Sequence, residues 1–238
     1  MIREEFEPTI FRDPGIPDGE KSRYRVGISG EPGGFEVSHV VVHDRGGYHT
    51  TIEASPEDKS GRDRALVMTV EQRIGRIDGR LHAESYRAQT RSGATVVSCE
   101  EVNFVDTVHL QFGGLPGPFP PNVMPIAAGL TMLRGLEFAD GLIETVDVWL
   151  ASSVHWPLLV RVEKQVVFAG TAGVFPCWQV RLRPGFEQVN GMLDKMVGSV
   201  VPPFIALFEV AAPHRMVQMS FPTQMSMSAP RATMELVS

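Results

Sequence analysis

The chain has 238 residues, of which 43% are hydrophobic and 21% are charged, and its formal net charge at pH 7 is −6. This composition is too hydrophobic for an intrinsically disordered chain and fits a globular protein with a sizeable core. The acidic balance, with basic residues scattered along the sequence, argues against a nucleic-acid partner.

The N-terminal residues and the cysteines give expectations about location. Residues 1–8 carry acidic side chains where a secretory signal has a basic and then an apolar segment, so we expect no export signal. No stretch is apolar for long enough to predict a membrane span. Cys99 and Cys177 lie far apart and outside any CxxC motif. This spacing predicts free thiols and a cytoplasmic protein.

Alternating hydrophobicity predicts antiparallel β-strands through the first hundred residues. Tyr24, Val26 and Ile28 alternate with polar or small neighbours, as in a strand with one buried face. The turn-forming segment Asp44-Arg-Gly-Gly47 separates two β-branched runs and predicts a hairpin. Further runs with strand character occupy residues 66–71, 80–91, 94–104 and 107–112.

Residues 113–121 interrupt the strands, because their prolines lack amide donors and their glycines are flexible. Asn122 can cap a helix, and small or apolar residues then recur at helical spacing up to Phe138. We therefore expect the main helix over residues 122–138. A second, short helix is expected near residues 188–197, where Pro202-Pro203 prevents its continuation.

Strand patterns resume after the first helix, at 143–151, 158–163, 174–183, 204–210 and 215–221. Within 174–183, Trp178, Val180 and Leu182 are predicted to face inward, and Arg181 and Arg183 to face outward. We expect residues 1–222 to form a single β-rich domain. Residues 223–238 are rich in Met, Ser and Pro, and we expect a loosely held tail.

The predicted fold class is mainly β. The strands follow one another as consecutive hairpins with one inserted helix and one short helix, which is typical of a large curved antiparallel sheet or an open barrel. A sheet with so many strands usually curls, and a curled sheet can enclose space that its own side chains leave unfilled.

Motifs in the second half of the sequence resemble a known family. These are Gly173-Val-Phe-Pro-Cys-Trp-Gln-Val180 and Pro213-His-Arg-Met-Val217. Together with Leu133-Arg-Gly-Leu-Glu-Phe138, they resemble domain of unknown function 3108 over about residues 20–222. The resemblance implies a curved antiparallel sheet wrapped around a helix, similar to the open barrels of bacterial lipoprotein carriers that hold acyl chains. It implies no catalytic residue.

Motifs for metal or cofactor chemistry are missing from the sequence. HExxH, P-loop, GxGxxG, EF-hand and GxSxG patterns do not occur, and we predict no metal and no cofactor. His82-Ala-Glu84 matches half of a zinc-deaminase signature, but the cysteine that should follow Cys177 is missing. His39 and His43 could share a strand face but lack a third ligand.

Three residues are weak catalytic candidates. His155 lies between two predicted strands, where it is either a general base at a barrel mouth or part of an ordinary turn. Glu144 and Asp147 are three positions apart and thus on opposite faces of a strand, so one of them is expected to face inward. Burial would raise the pKa of that carboxyl, whereas the alternative is a carboxylate in water at the end of the strand.

The eleven methionines suggest a function, because flexible thioethers line adaptable pockets as well as pad ordinary cores. We predict an apolar cavity between sheet and helix, lined by Met124, Leu130, Trp149 and Trp178. The first hypothesis is a carrier that encloses an acyl, isoprenoid or polycyclic small molecule. One alternative is a cofactor-independent cyclase or isomerase acting on an apolar substrate inside the barrel. Another is a protein-interaction module with an exposed sheet edge.

Overall fold

The structure is a computed structural model, and it describes residues 9–58, 65–105, 107–110, 116–149, 155–185, 202–224 and 230–238. In these residues the chain is mainly β, which confirms the predicted fold class. Thirteen strands form one large sheet, and two short strands pair separately. The strands are β1 Glu20–Ile28, β2 Gly34–Asp44, β3 Gly47–Pro56, β4 Leu66–Ile77, β5 Arg80–Ser92, β6 Thr95–Asn103, β7 Val108–Leu110, β8 Pro116–Pro118, β9 Val123–Pro125, β10 Ile143–Trp149, β11 His155–Gly170, β12 Gly173–Pro184, β13 Phe204–Glu209, β14 Met216–Pro222 and β15 Arg231–Leu236.

The large sheet consists of two meanders joined through β1 and β15. Strands β1 to β6 pair consecutively and antiparallel, and so do β10 to β15. β15 pairs with β1, and β9 runs parallel to β10 at one edge. A sheet this large curls. Here the curl brings β9 against β5, and we call this meeting of the two ends of the sheet the seam.

The C-terminal segment is part of this sheet, and the predicted loose tail is wrong for β15. This strand pairs with both β1 and β14, in the middle of the strand order. Its side chains Ala232 and Leu236 are 2% and 1% exposed. Ala232, Met234 and Leu236 alternate with polar residues, which is a strand signal that the Met- and Ser-rich composition obscured. The assignment of residues 1–222 to one domain stays a prediction.

The inserted helix is shorter than predicted. Helix α1 spans Gly129–Met132, with single 3₁₀ turns at Ile126–Ala128 and Leu133–Gly135. Asn122 does not cap it, because its Oδ1 accepts a hydrogen bond from the backbone N–H of Ile10 at 3.0 Å. The second predicted helix, at 188–197, lies outside the described residues.

The N-terminal segment explains where the helical turns end. The backbone N–H of Arg12 donates to the carbonyl of Gly135 at 2.7 Å, and a Cβ atom at Gly135 would lie 2.1 Å from the Arg12 oxygen. A glycine is therefore required for this close approach. The crossing segment is itself anchored, since Phe11 and Ile16 are 0% and 1% exposed. Thr131, Met132 and Arg134 are buried beneath it, and we call this the plugged end of the barrel.

Burial confirms the predicted register of β12 over residues 180–183 but not at Trp178, since the neighbouring Cys177 is 0% exposed. Val180 and Leu182 are 0% and 3% exposed, and Arg183 is exposed. Arg181 forms an ion pair with Glu163 at the surface. Trp178 is partly buried.

This register predicts that substitutions at two neighbouring residues differ in their effect on the free energy of unfolding. Val180→Ala should lower the free energy of unfolding by about 2 kcal/mol, because it removes buried methyl groups from a packed core. Arg181→Ala should cost less than about 1 kcal/mol, because a surface ion pair contributes little. Urea denaturation of both variants checks this, and a larger loss for Arg181→Ala would contradict the register.

Candidate functional site

An apolar row crosses the inner face of the sheet. Residues directly opposite each other on paired strands share a face, and the row runs Phe35, Val26, Met234, Met219, Ala206 and Val180. Val180 and Ala206 are 0% and 1% exposed, which identifies this face as the interior. The two methionines and Val26 are partly buried, whereas Phe35 is 45% exposed. The apolar face is therefore continuous with the core but incompletely covered.

Two aromatic rings extend the row. Phe204 and Phe221 stack with their ring centroids 6.3 Å apart and an interplanar angle of 13°, and both are partly buried. Phe204 pairs with the buried Leu182, which places both rings on the inner face. We call the following set the methionine face: Val26, Phe35, Phe204, Met219, Phe221 and Met234.

The plugged end has a polar interior. We call the following buried side chains the interior polar cluster: Ser22, His39, Thr50, Gln72, Thr131 and Arg134. Buried polar residues tell more about a possible site than buried apolar residues do. Removing a polar group from water is costly unless hydrogen bonds to the protein replace those to water.

The Arg134 guanidinium has the largest desolvation cost in this cluster, because it is charged and its side chain is only 1% exposed. It donates to the two carboxylate oxygens of Glu20 at 2.6 and 3.1 Å, and its Nε donates to the carbonyl of Pro213 at 2.8 Å. This bidentate geometry offsets the cost of burying the charge.

Other members of the cluster pair with one another. Thr131 Oγ1 and His39 Nε2 are 3.3 Å apart, and Gln72 donates through Nε2 to Thr50 Oγ1 at 3.1 Å. Burial, followed by the nearby Arg134 charge, lowers the pKa of His39 to about 4, so its ring is neutral at pH 7. Gln72 Oε1 lacks a partner among the described residues, whereas a hydrogen bond from Ser22 to Tyr24 partly offsets the rise that burial causes in the Tyr24 pKa.

The four predicted ligand-binding residues do not line a common cavity among the described residues. Met124, Leu130 and Trp149 are 2%, 8% and 4% exposed within the core, and Trp178 packs on Phe138 with ring centroids 6.4 Å apart. That these four residues line a ligand cavity stays a prediction. An outer groove of about 740 Å³ and a recess of about 250 Å³ have other linings. Most residues that line the groove are polar or charged, among them Glu71, Gln72, Arg73, Arg87 and Glu101.

The structure brings two of the catalytic candidates together at the seam. Asp147 and His155 lie on neighbouring strands, with Oδ1 and Nε2 3.8 Å apart. His155 Nδ1 is 2.9 Å from His109 Nε2, and His109 Nδ1 is 3.2 Å from the carbonyl of Gly117. Burial raises the pKa of Asp147. The third candidate, Glu144, is separate and lines the small recess.

The proton positions in this series of hydrogen bonds follow from the groups that can only accept. Because the carbonyl of Gly117 can only accept, His109 Nδ1 donates to it and a neutral His109 accepts at Nε2. His155 then donates through Nδ1, and its Nε2 lies 3.8 Å from Asp147 Oδ1, which is too far for a hydrogen bond. Three of the four ring nitrogens are therefore hydrogen-bonded to protein groups, and these bonds connect the strands at the seam.

Aromatic contacts complete the seam. His109 stacks on Phe119 with ring centroids 4.0 Å apart, and Phe119 lies 5.5 Å from the Trp149 ring. Trp149 donates through Nε1 to Glu100 at 3.1 Å. Sequence reasoning missed His109, Phe119 and Glu100, because their partners are distant in the sequence and no local pattern marks them.

The described residues hold neither a cluster of metal ligands nor a membrane-spanning helix. They contain no group of three or more His, Cys, Asp or Glu side chains arranged to hold a metal ion. No helix in this part of the chain is long and apolar enough to cross a bilayer. The cytoplasmic location stays a prediction.

Comparisons with known proteins give the fold and no activity. The chain matches no known family, and no curated protein is significantly similar to it in sequence. A β-barrel-like protein of domain of unknown function DUF1849 from Brucella abortus has a TM-score of 0.50 at 12% identity, covering 94% of this chain and 98% of that chain. A provisionally assigned lipoprotein from Parabacteroides distasonis has a TM-score of 0.32 at 9% identity over 97% and 98% of the two chains. The first likeness supports a β-barrel-like fold, and membership of domain of unknown function 3108 stays a prediction.

Proposed function

We propose that the protein binds an apolar small molecule on the methionine face and acts as its carrier. The observation that supports this proposal is an apolar surface that continues the core but is only partly covered. The side chains of Met219 and Met234 are flexible, and they can adapt to an acyl, isoprenoid or polycyclic shape. Each Å² of apolar ligand surface removed from water contributes about 25 cal/mol.

The enzyme alternative has less support. A general base needs a nitrogen or oxygen within hydrogen-bond reach of the substrate. At the seam, both ring nitrogens of His109 and Nδ1 of His155 bond to protein groups instead, and Nε2 of His155 lies 3.8 Å from Asp147 Oδ1. A cofactor-independent cyclase or isomerase therefore stays the second prediction, with no observation that favours it over a carrier.

Dye binding tests the proposed site. An environment-sensitive apolar dye should bind saturably to the native protein and be displaced by a long-chain apolar compound. Met234→Trp should weaken dye binding at least about tenfold, because added bulk on the methionine face occupies the ligand volume. Native mass spectrometry of freshly purified protein would then identify the chemical class of any retained ligand.

Thr233→Trp is the matched control, because Thr233 is adjacent to Met234 and faces the other side of the sheet. This control should change dye affinity by less than about twofold. Absence of saturable binding, or equal loss of affinity in both folded variants, would overturn the carrier proposal.

A further inference from the structure

The small recess lies beside the N-terminal crossing segment at the plugged end. Its volume is about 250 Å³, and segments that are far apart in the sequence line it: Thr9, Ile10, Arg12, Arg80, Leu136, Glu137 and Glu144. Four of these side chains are charged, two of each sign. No residue of the methionine face lines the recess, so it is a separate opening in the molecule.

Hydrogen bonds between its walls fix the shape of the recess. The backbone N–H of Arg12 donates to the carbonyl of Gly135 at 2.7 Å. Asn122 connects the crossing segment to β10, because its Oδ1 accepts from the N–H of Ile10 at 3.0 Å and its Nδ2 donates to the carbonyl of Thr145 at 3.4 Å. A site whose walls are already in place loses less conformational entropy when a ligand binds.

Two of the four charges compensate each other in contact with water. Arg12 and Glu137 form an ion pair at 3.2 Å, and their side chains are 62% and 63% exposed. Water screens a pair of this kind. The charges that a ligand would meet without a protein counter-ion are therefore those of Arg80 and Glu144.

Arg80 and Glu144 are half-buried charges of opposite sign, yet neither forms an ion pair with a residue that the structure describes. Arg80 donates through Nη1 to the carbonyl of Thr9 at 2.6 Å, which is a neutral acceptor. Glu144 lies directly opposite Val160, which is 1% exposed, so its side chain is on the inner side of the sheet. A charge that is partly removed from water without a counter-charge is costly.

We propose that the recess binds a small zwitterion of the α-amino-acid type, whose carboxylate bonds to Arg80 and whose ammonium group bonds to Glu144. This inference goes beyond the carrier function and does not depend on it, since the recess and the methionine face share no residue.

Each end of an amino acid has a matching group in the recess. Because Nη1 of Arg80 bonds to Thr9, its Nε and Nη2 remain to donate, and this edge of a guanidinium binds a carboxylate with two parallel hydrogen bonds. The Glu144 carboxylate only accepts, and an ammonium group only donates. Ile10 is half-buried and Leu136 is 5% exposed, and they offer an apolar contact to a short aliphatic side chain.

A ligand with a single charge satisfies only one of the two protein charges. An anion on Arg80 would lie near the Glu144 carboxylate, and an amine on Glu144 would lie near the Arg80 guanidinium. The like charge lowers affinity in both cases, and one protein charge stays without a counter-charge. A zwitterion of the right size avoids both penalties.

Three matched ligands test this preference. We would titrate isotope-labelled protein with L-alanine, N-acetyl-L-alanine and L-alaninamide at pH 7 and low ionic strength, and follow the amide chemical shifts by NMR. L-alanine should bind at least about tenfold more tightly than either derivative, because acetylation removes the ammonium charge and amidation removes the carboxylate charge. The largest shift changes should fall on residues that line the recess, including Ile10, Arg80 and Glu144.

Substitutions assign each protein charge to one end of the ligand. Glu144→Gln should weaken L-alanine binding at least about tenfold without weakening N-acetyl-L-alanine, which has no ammonium group. Arg80→Gln should weaken L-alanine to a similar extent without weakening L-alaninamide. Glu53→Gln and Arg183→Gln are the matched controls, since both residues are exposed and neither lines the recess. Each control should change affinity by less than about twofold.

The Glu144 variant decides the outcome, because Glu144 has no hydrogen bond to another described residue that its substitution would break. Thermal unfolding should show that this variant is as stable as the wild type. Unchanged L-alanine affinity in folded Glu144→Gln would overturn the proposal. Equal affinity for the three ligands, or no saturable shift change up to about 10 mM L-alanine, would do so as well.

Discussion

Glu20→Ala should lower the free energy of unfolding by about 3–5 kcal/mol, because it leaves the buried Arg134 guanidinium without its counter-charge. The pair is almost fully enclosed, with side chains 1% and 15% exposed and a bidentate geometry. The guanidinium cannot escape the penalty by losing its proton, because arginine stays protonated in proteins. Urea denaturation at pH 7 measures the loss.

Two comparison variants isolate the effect of the buried charge. Glu57→Ala removes the partner of Arg25, which is 65% exposed, and should cost less than about 1 kcal/mol. Adding Arg134→Met to Glu20→Ala should recover part of the lost stability, because an apolar side chain replaces the unpaired charge. A loss for Glu20→Ala as small as that for Glu57→Ala would contradict the buried-pair interpretation.

The fold class was predictable because strand alternation is a local signal. In β12, Val180 and Leu182 alternate with Arg181 and Arg183, and this pattern alone assigns the two faces. The same signal is present in β15, where Ala232, Met234 and Leu236 alternate with polar residues, although the Met-, Ser- and Pro-rich composition of residues 223–238 favours a loose tail. Local alternation proved the better guide to whether the segment enters the sheet.

The helix was mispredicted because a long-range contact decides where it ends. Small and apolar residues keep helical spacing up to Phe138, yet the backbone of Arg12 bonds to Gly135 and the chain is extended at Leu136. Nothing near Gly135 in sequence shows that residue 12 will cross there. The closeness of His109 to His155 was unpredictable for the same reason, since it depends on how the sheet closes.

No sequence motif marks the interior polar cluster, although each of its members occupies an inward position of a strand or helical turn. Ser22 and His39 stand where alternation predicts apolar side chains, and Gln72 does so between Val70 and Ile74. A polar residue at an inward position conflicts with the strand pattern, and such conflicts are expected at functional sites. Polar residues at inward positions are therefore the sequence signal that marks this cluster.

His39 should make the protein less stable in acid. Its pKa is about 4 in the folded protein, where burial is the main cause, and about 6.5 in the unfolded chain. Between these pH values the unfolded state binds more protons than the folded state, so the free energy of unfolding falls as the pH falls. The expected contribution of His39 is about 3 kcal/mol lost between pH 7.5 and pH 4.

His39→Gln should remove this contribution, because glutamine does not titrate and can still bond to the Thr131 hydroxyl. The groups that act on His39 are Arg134, which disfavours its protonation, and Glu20, which favours it. Both remain in the variant, so the difference between the two pH profiles isolates residue 39. Urea denaturation from pH 7.5 to 4 should give a profile for His39→Gln that is flatter than that of the wild type by about 3 kcal/mol. Parallel profiles would mean that His39 is hydrated in the folded protein and would contradict its burial at the plugged end.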